Sequence, residues 1–165
     1  MLLKDYIPNV NKLYSKIFIS GYSFDSSKIR KNYIFFAIKG NRFDGNDYVD
    51  EAIKKGAKVI ISEKKFTKKK SNVIFLHSSN TRRLLSKVSY KILEKKPKKM
   101  VAVTGTNGKS SIADFYYQIL NLNSKKVASI GTIGIRSKDK KRSLTNTTLD
   151  PIQMTAILKD LKKKN

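Results

Sequence analysis

The run Val101-Ala102-Val103-Thr104-Gly105-Thr106-Asn107-Gly108-Lys109-Ser110-Ser111 constrains this chain more than any other stretch. An apolar strand that feeds a glycine-rich turn, followed by a Lys-Ser pair at a helix start, is a way chains grip nucleotide phosphates. Gly105 and Gly108 let the backbone turn with no side chain in the way, so successive N–H groups can face an anion. The helix expected to begin near Lys109 adds unsatisfied N-terminal donors and about half a unit of positive dipole charge at the same place. In that arrangement Lys109 neutralises the β- and γ-phosphates of ATP, and the Ser110 hydroxyl holds a bridging Mg2+. Gly105, Thr106, Asn107, Gly108, Lys109, Ser110 and Ser111 form the candidate nucleotide-binding set, with Lys109 the candidate catalytic residue. The generic pattern G-x-x-x-x-G-K-[ST] asks for glycine at position 103; the chain has Val103 there, so only the second half of the pattern is met.

The flanks support the loop. Met100–Val103 reads as a buried strand, and Ile112, Phe115, Tyr116, Ile119, Leu120 and Leu122 recur at helical spacing. The plainer alternative is an ordinary strand-turn-helix in which Asn107-Gly108 is a turn signal.

A chain of 165 residues with 39% apolar content can bury a core as one full domain or two small ones. No run approaches the roughly 18 apolar residues of a membrane span, and the first residues, Met1-Leu2-Leu3-Lys4-Asp5, lack the long apolar stretch of a signal peptide. The absence of cysteine excludes disulfides and thiolate metal sites and fits a cytoplasmic protein. The net charge of +24 raises the question of nucleic acid. Most of the excess is lysine, concentrated in Lys64–Lys70, Lys95–Lys99, Lys138–Arg142 and Lys159–Lys164, at expected loops and element ends. Base-stacking surfaces interleave aromatics with charge, and only Phe66 falls within these runs. Solvated loops are therefore the favoured reading, and nucleic-acid binding is not expected.

The pattern divides the chain into two α/β blocks. Ile17–Ser20 and Tyr33–Ile38 read as strands, Asp47–Lys55 as a short helix, and Lys58–Ser62 and Val73–Leu76 as further strands. Thr81–Leu93 follows as an amphipathic helix, and Lys95-Lys96-Pro97 is the expected break. The domains expected are therefore 1–95 and 98–165. The second opens with the phosphate-loop strand and helix and continues with a strand over Lys126–Ile130, a set whose lengths suit a right-handed parallel unit. It then passes through Gly131-Thr132-Ile133-Gly134 into a basic turn, and Asp150-Pro151 starts a last helix as N-cap and first helical residue. Two parallel strands do not complete a nucleotide-binding sheet, so this second domain reads as cut short.

Val103-Thr104-Gly105-Thr106-Asn107-Gly108-Lys109-Ser110-Ser111 resembles the ATP loop of the Mur ligase family, the ADP-forming enzymes that add amino acids to the UDP-linked peptidoglycan precursor. That family carries an aliphatic residue where Val103 stands, which turns the departure from the generic pattern into support. Phe24-Asp25-Ser26-Ser27-Lys28, Tyr33-Ile34-Phe35-Phe36-Ala37-Ile38-Lys39-Gly40 and Phe43-Asp44-Gly45-Asn46-Asp47-Tyr48 are similar to the UDP-binding domain of two members. One adds the third residue (MurE type) and the other adds the D-Ala-D-Ala dipeptide (MurF type). Thr106-Asn107, Gly131-Thr132-Ile133-Gly134 and Asn146-Thr147-Thr148-Leu149-Asp150-Pro151 all resemble the third-residue members. Leu149 stands where that family usually has proline, and Ser110 and Ser111 replace its more usual threonines while keeping the hydroxyls.

The resemblance implies a small N-terminal UDP-binding α/β domain followed by the start of a P-loop, parallel-sheet ATP-binding domain. It implies that Phe24, Ser26, Asn41, Arg42 and Phe43 contact the UDP-sugar end of the substrate and that Asn146, Thr147 and Thr148 contact its muramoyl-dipeptide part. Without it, Asp25-Ser26-Ser27 is a polar turn and Asn146-Thr147-Thr148 the lead-in to a helix cap. It further implies ATP-dependent ligation, with UDP-N-acetylmuramoyl-L-alanyl-D-glutamate and a diamino acid, diaminopimelate or lysine, as substrates. The family's additional metal-binding acidic and histidine residues, its modified lysine and its C-terminal domain fall after the point where this sequence ends, so these 165 residues alone are expected to bind nucleotide weakly at best and not to ligate. His77 reads as a structural or surface residue. The dipeptide-adding ligase and a non-catalytic nucleotide- or nucleic-acid-binding module are the alternatives.

Overall fold

A computed structural model describes residues 1–66, 72–94, 97–138, 140–143 and 149–163. They form two compact units, Met1–Ile92 and Leu93–Asn165.

The first unit is built on a parallel sheet of four strands in sequential order: β1 (Gly21–Ser23), β2 (Tyr33–Ala37), β3 (Ala57–Ser62) and β4 (Ile74–His77). A parallel sheet needs crossovers that cover both faces, and its central strands read as continuous apolar runs. Tyr-Ile-Phe-Phe-Ala in β2 and Val-Ile-Ile in β3 are such runs, and Ile34, Phe35, Phe36, Val59, Ile60 and Ile61 are all fully buried. Because strand side chains alternate, Phe35, Ala37 and Ile60 join Val49 and Ala52 of a short helix α1 (Val49–Lys54) on one face. On the other face Phe36 meets Tyr22 edge-on, and Tyr22 meets Tyr6 in the same way. The helix α2 (Thr81–Ile92) packs against β2 and buries Leu85 and Val88. Asn80 starts it by accepting the Arg83 N–H at 2.8 Å through its side chain, and Glu63 accepts the Thr81 N–H at 2.9 Å.

The expected strand at Ile17–Ser20 lies one step later in the chain, as β1. The backbone of 17–19 is taken up by the first residues: Leu3 N–H donates to the Ile17 carbonyl and Ile19 N–H to the Met1 carbonyl, each at 2.8 Å. The apolar pattern of Ile17–Ser20 carried no information about which neighbour would bond them. The helix expected over Asp47–Lys55 divides into a 3-10 turn at Gly45–Tyr48 and α1.

The second unit holds α3 (Lys109–Leu122), a three-stranded sheet of β5 (Ala128–Gly131), β6 (Gly134–Ser137) and β7 (Lys140–Arg142), and α4 (Pro151–Lys163). Asp150 caps α4 as its sequence implied: Oδ1 accepts the N–H groups of Ile152 and Gln153, both at 2.8 Å. The expectation of a strand at Met100–Val103 and a parallel strand-helix-strand unit is corrected here. Val101–Thr104 carry no strand, Met100 and Val101 are 54% and 66% exposed, and the sheet β5-β6-β7 is antiparallel throughout. A strand exists only through its ladder bonds, and among the described residues no strand is paired with 101–103. The Gly131–Gly134 pair instead closes a two-residue hairpin around Thr132-Ile133, which pairs β5 with β6 locally.

Candidate functional site

The loop Gly105–Ser111 is solvent-exposed and runs directly into α3. Gly105 and Gly108 have φ of +145° and +76°, backbone states that a side chain disfavours. Gly108 is the N-cap of α3, and its carbonyl accepts the Ile112 N–H at 2.9 Å. No side chain caps this end, so the first-turn donors and the positive end of the dipole face outward beside the loop. The Lys109 ammonium folds back and donates to the Gly105 and Thr106 carbonyls, the latter at 2.9 Å. The fixed charge of the loop therefore sits at the helix start, where an oxyanion would be received.

Two contacts join α3 to the β5–β6 hairpin. The hydroxyls of Ser110 and Thr132 are hydrogen-bonded at 2.9 Å. One helical turn on, Asp114 is ion-paired with Arg136 of β6, and the Arg136 guanidinium lies 4.9 Å from the centroid of the Tyr117 ring. Gln118 donates to the second oxygen of Asp114 at 2.6 Å. Ser110, Asp114, Tyr117 and Gln118 share one side of the helix by their spacing. Ile112, Phe115, Ile119 and Leu122 project from the opposite side and are all more than half exposed.

In the first unit, Phe24 and Ser26 follow the C-terminal end of β1, and Asn41, Arg42 and Phe43 follow that of β2. Neighbouring parallel strands deliver both loops to the same, C-terminal end of the sheet. Asp25 opens a 3-10 turn by accepting the Ser27 N–H, and Ser26 donates its hydroxyl to Glu51 of α1 at 2.9 Å. Asn41, Arg42 and Phe43 are exposed, Phe43 by 69%. Beneath them Asp44 accepts from the Asn46 backbone at 2.9 Å, the Asn46 amide at 2.6 Å and Lys64 Nζ at 2.8 Å. The Ser62 hydroxyl, fully buried, donates to the Asn46 side chain. The Lys64 ammonium, followed by the Asn46 donors, holds the Asp44 carboxyl far below the ordinary carboxylate range. Ser27 and Lys28 lower Asp25, and Lys55 and Ser26 lower Glu51. This charged lattice fixes the loops that the candidate substrate residues decorate.

Asn146, Thr147 and Thr148 lie outside the described residues. His77 is the exposed last residue of β4. Thr132, Asp114 and Arg136 escaped the sequence reading as site residues. Thr132 lay within the Gly131–Gly134 motif, and Asp114 stands four residues after Ser110, but only the hairpin brings them together.

Residues 18–101 match the model of the Mur ligase family, catalytic domain, and residues 103–165 that of the Mur ligase middle domain. The chain is 39% identical over 131 residues to a UDP-N-acetylmuramoyl-L-alanyl-D-glutamate--2,6-diaminopimelate ligase of Rickettsia prowazekii, which covers 77% of this chain and 26% of the relative. Over 166 residues it is 36% identical to the ligase of the same name from Rickettsia felis, covering 95% of this chain and 30% of the relative. The chain thus spans between a quarter and a third of the length of these curated relatives. A solved structure of a ligase of that name superposes with a TM-score of 0.79 at 24% identity over 99% of this chain and 34% of the other, a likeness of fold. Since the first family model alone takes in just over half of the residues and the second begins two residues after it ends, the chain belongs to the Mur ligase family.

Proposed function

We propose that this chain is part of an ATP-dependent ligase that joins meso-diaminopimelate to UDP-N-acetylmuramoyl-L-alanyl-D-glutamate in peptidoglycan synthesis, acting in the cytoplasm. The observation that carries the reading is the uncapped start of α3 with the Lys109 ammonium folded over the Gly105–Thr106 carbonyls, inside a segment matched by the Mur ligase middle domain. The names of the relatives supply the substrates.

The chemistry is carboxylate activation. The terminal carboxylate takes the γ-phosphoryl group with release of ADP, and the diamino acid's amine then displaces phosphate to form the amide. Phosphoryl transfer is chiefly positioning and charge neutralisation. Backbone donors of Gly105–Ser111 receive the phosphate oxygens, and Lys109 exchanges two carbonyl acceptors for charged ones. Ser110 offers a hydroxyl oxygen to Mg2+. Mg2+ favours six oxygens in octahedral array and keeps waters. Among the described residues no group of three or more His, Cys, Asp or Glu could hold a metal. The Ser110 hydroxyl would therefore suit a Mg2+ that arrives with nucleotide phosphates rather than one bound by protein alone. Phe24, Ser26 and Asn41–Phe43 of the first unit take the UDP-sugar end, and Asn146, Thr147 and Thr148, later in the chain, take the dipeptide part. Amides and hydroxyls bond uronyl, phosphate and carboxylate oxygens without demanding a fixed charge.

Lys109→Ala tests the assignment. Charged hydrogen bonds contribute about 1.5–3 kcal/mol, so the variant should bind Mg·ADP at least about tenfold more weakly and the UDP-muramoyl-dipeptide as the parent does, both read by calorimetric titration. Equal loss of both ligands, or unchanged Mg·ADP affinity, overturns the reading.

A further inference from the structure

We propose that Thr132 is a positioning residue for the phosphate site, acting through Ser110; this rests on the nucleotide reading of the Gly105–Ser111 loop. A serine hydroxyl has one proton to donate and two lone pairs to offer. When its oxygen faces a cation, the proton must point away and needs an acceptor elsewhere. Thr132 Oγ1 lies 2.9 Å from Ser110 Oγ; either hydroxyl can donate across that contact, and a cation at Ser110 selects the direction in which Thr132 accepts. With the proton committed there, both lone pairs of Ser110 stay free for the Mg2+ and its water shell.

The surroundings hold Thr132 in place. It occupies the first position of the two-residue hairpin loop between β5 and β6, whose strands pair from Ala128–Ser137 to Gly131–Gly134. Gly134, at φ +108°, lies so close to β7 that an added Cβ would meet the Arg142 carbonyl at 2.4 Å, so the hairpin base is seated against its third strand. The Asp114–Arg136 ion pair, backed by the Tyr117 ring, ties β6 to α3 one turn beyond Ser110. Two links from one face of α3 to one hairpin set the distance between the two hydroxyls. A free serine rotor at this helix start would spend part of its time with its proton toward the cation.

The test is titration of the chain with the fluorescent nucleotide mant-ADP, in Mg2+ and in EDTA. The quantity read is the dissociation constant in EDTA divided by that in Mg2+, which reports the metal-dependent part of binding alone. Thr132→Val should lower that ratio about tenfold with the EDTA affinity unchanged, whereas Thr132→Ser, which keeps the oxygen, should retain the parent ratio. In a Ser110→Ala background Thr132→Val should have no further effect, as expected of two residues acting through one contact. A parent-like ratio in Thr132→Val, equal loss with and without Mg2+, or additive effects in the double variant overturns the proposal. Absence of Mg2+-dependent binding in the parent chain would instead remove the nucleotide reading itself.

Discussion

Asp44 shows how single residues hold the first unit's candidate site together. Its carboxylate meets Lys64 and both Asn46 donors, while Asn46 in turn accepts from buried Ser62 at the end of β3. A carboxyl held below its unfolded value stabilises the fold above the ordinary carboxylate range, near pH 4, and that contribution disappears as pH falls toward the folded pKa. Asp44, Asp25 and Glu51 are all shifted this way. Lys64 is raised by the same contact, so its share is present below the ordinary lysine range and is lost only in strong alkali. The thermal midpoint of the chain should therefore fall steadily between about pH 5 and pH 2. Asp44→Asn should flatten that fall and lower the midpoint at pH 7, measured by circular dichroism. An unchanged acid slope in the variant would show that the other two carboxylates account for it. Some of this scale was legible beforehand, because local chemistry sets it: Asp150 ahead of Pro151 specifies a cap, and the cap is there. Thr132 was legible only as part of a motif, since its partner lies 22 positions away and no pattern in one chain encodes that meeting.

At the scale of elements, periodicity located most helices and strands and failed where bonding decides. The run of β2 and β3 read as strands and is buried as strands. Met100–Val103 has the same apolar character, but no described strand is paired with it. The helix α3 exposes the physical conflict. Its polar side, with Ser110, Asp114 and Gln118, meets the hairpin, while Ile112, Phe115, Ile119 and Leu122 stand exposed, Leu122 by 82%. A soluble domain seldom leaves such a stripe open. The chain should therefore bind the apolar dye ANS in native buffer. Phe115→Glu with Ile119→Lys should cut the dye signal severalfold without changing the far-ultraviolet spectrum, because neither residue touches the hairpin contacts. Undiminished fluorescence would place the apolar surface elsewhere.

For the whole molecule, family membership was legible because several motifs occur in register along the chain. What separate segments do for one another was not. The chain spans 26% and 30% of two relatives named as diaminopimelate ligases, while the groups assembled around its own loop are few. The Lys109 ammonium lies on the Gly105 and Thr106 carbonyls, the Ser110 and Thr132 hydroxyls bond each other, and no acidic or histidine cluster among the described residues would anchor a metal. A phosphoryl group in transfer spreads negative charge over its oxygens and needs it neutralised on several sides. One lysine, one helix start and a cation held mainly by the nucleotide make a binding site with little to favour the transition state over the ground state. Given ATP, Mg2+, UDP-N-acetylmuramoyl-L-alanyl-D-glutamate and diaminopimelate, the 165-residue chain should release phosphate no faster than a protein-free blank, while still binding mant-ADP through Lys109. Release above the blank that disappears in Lys109→Ala would mean that these residues already contain every group the transfer requires. Binding without release would locate the remaining catalytic charge outside them.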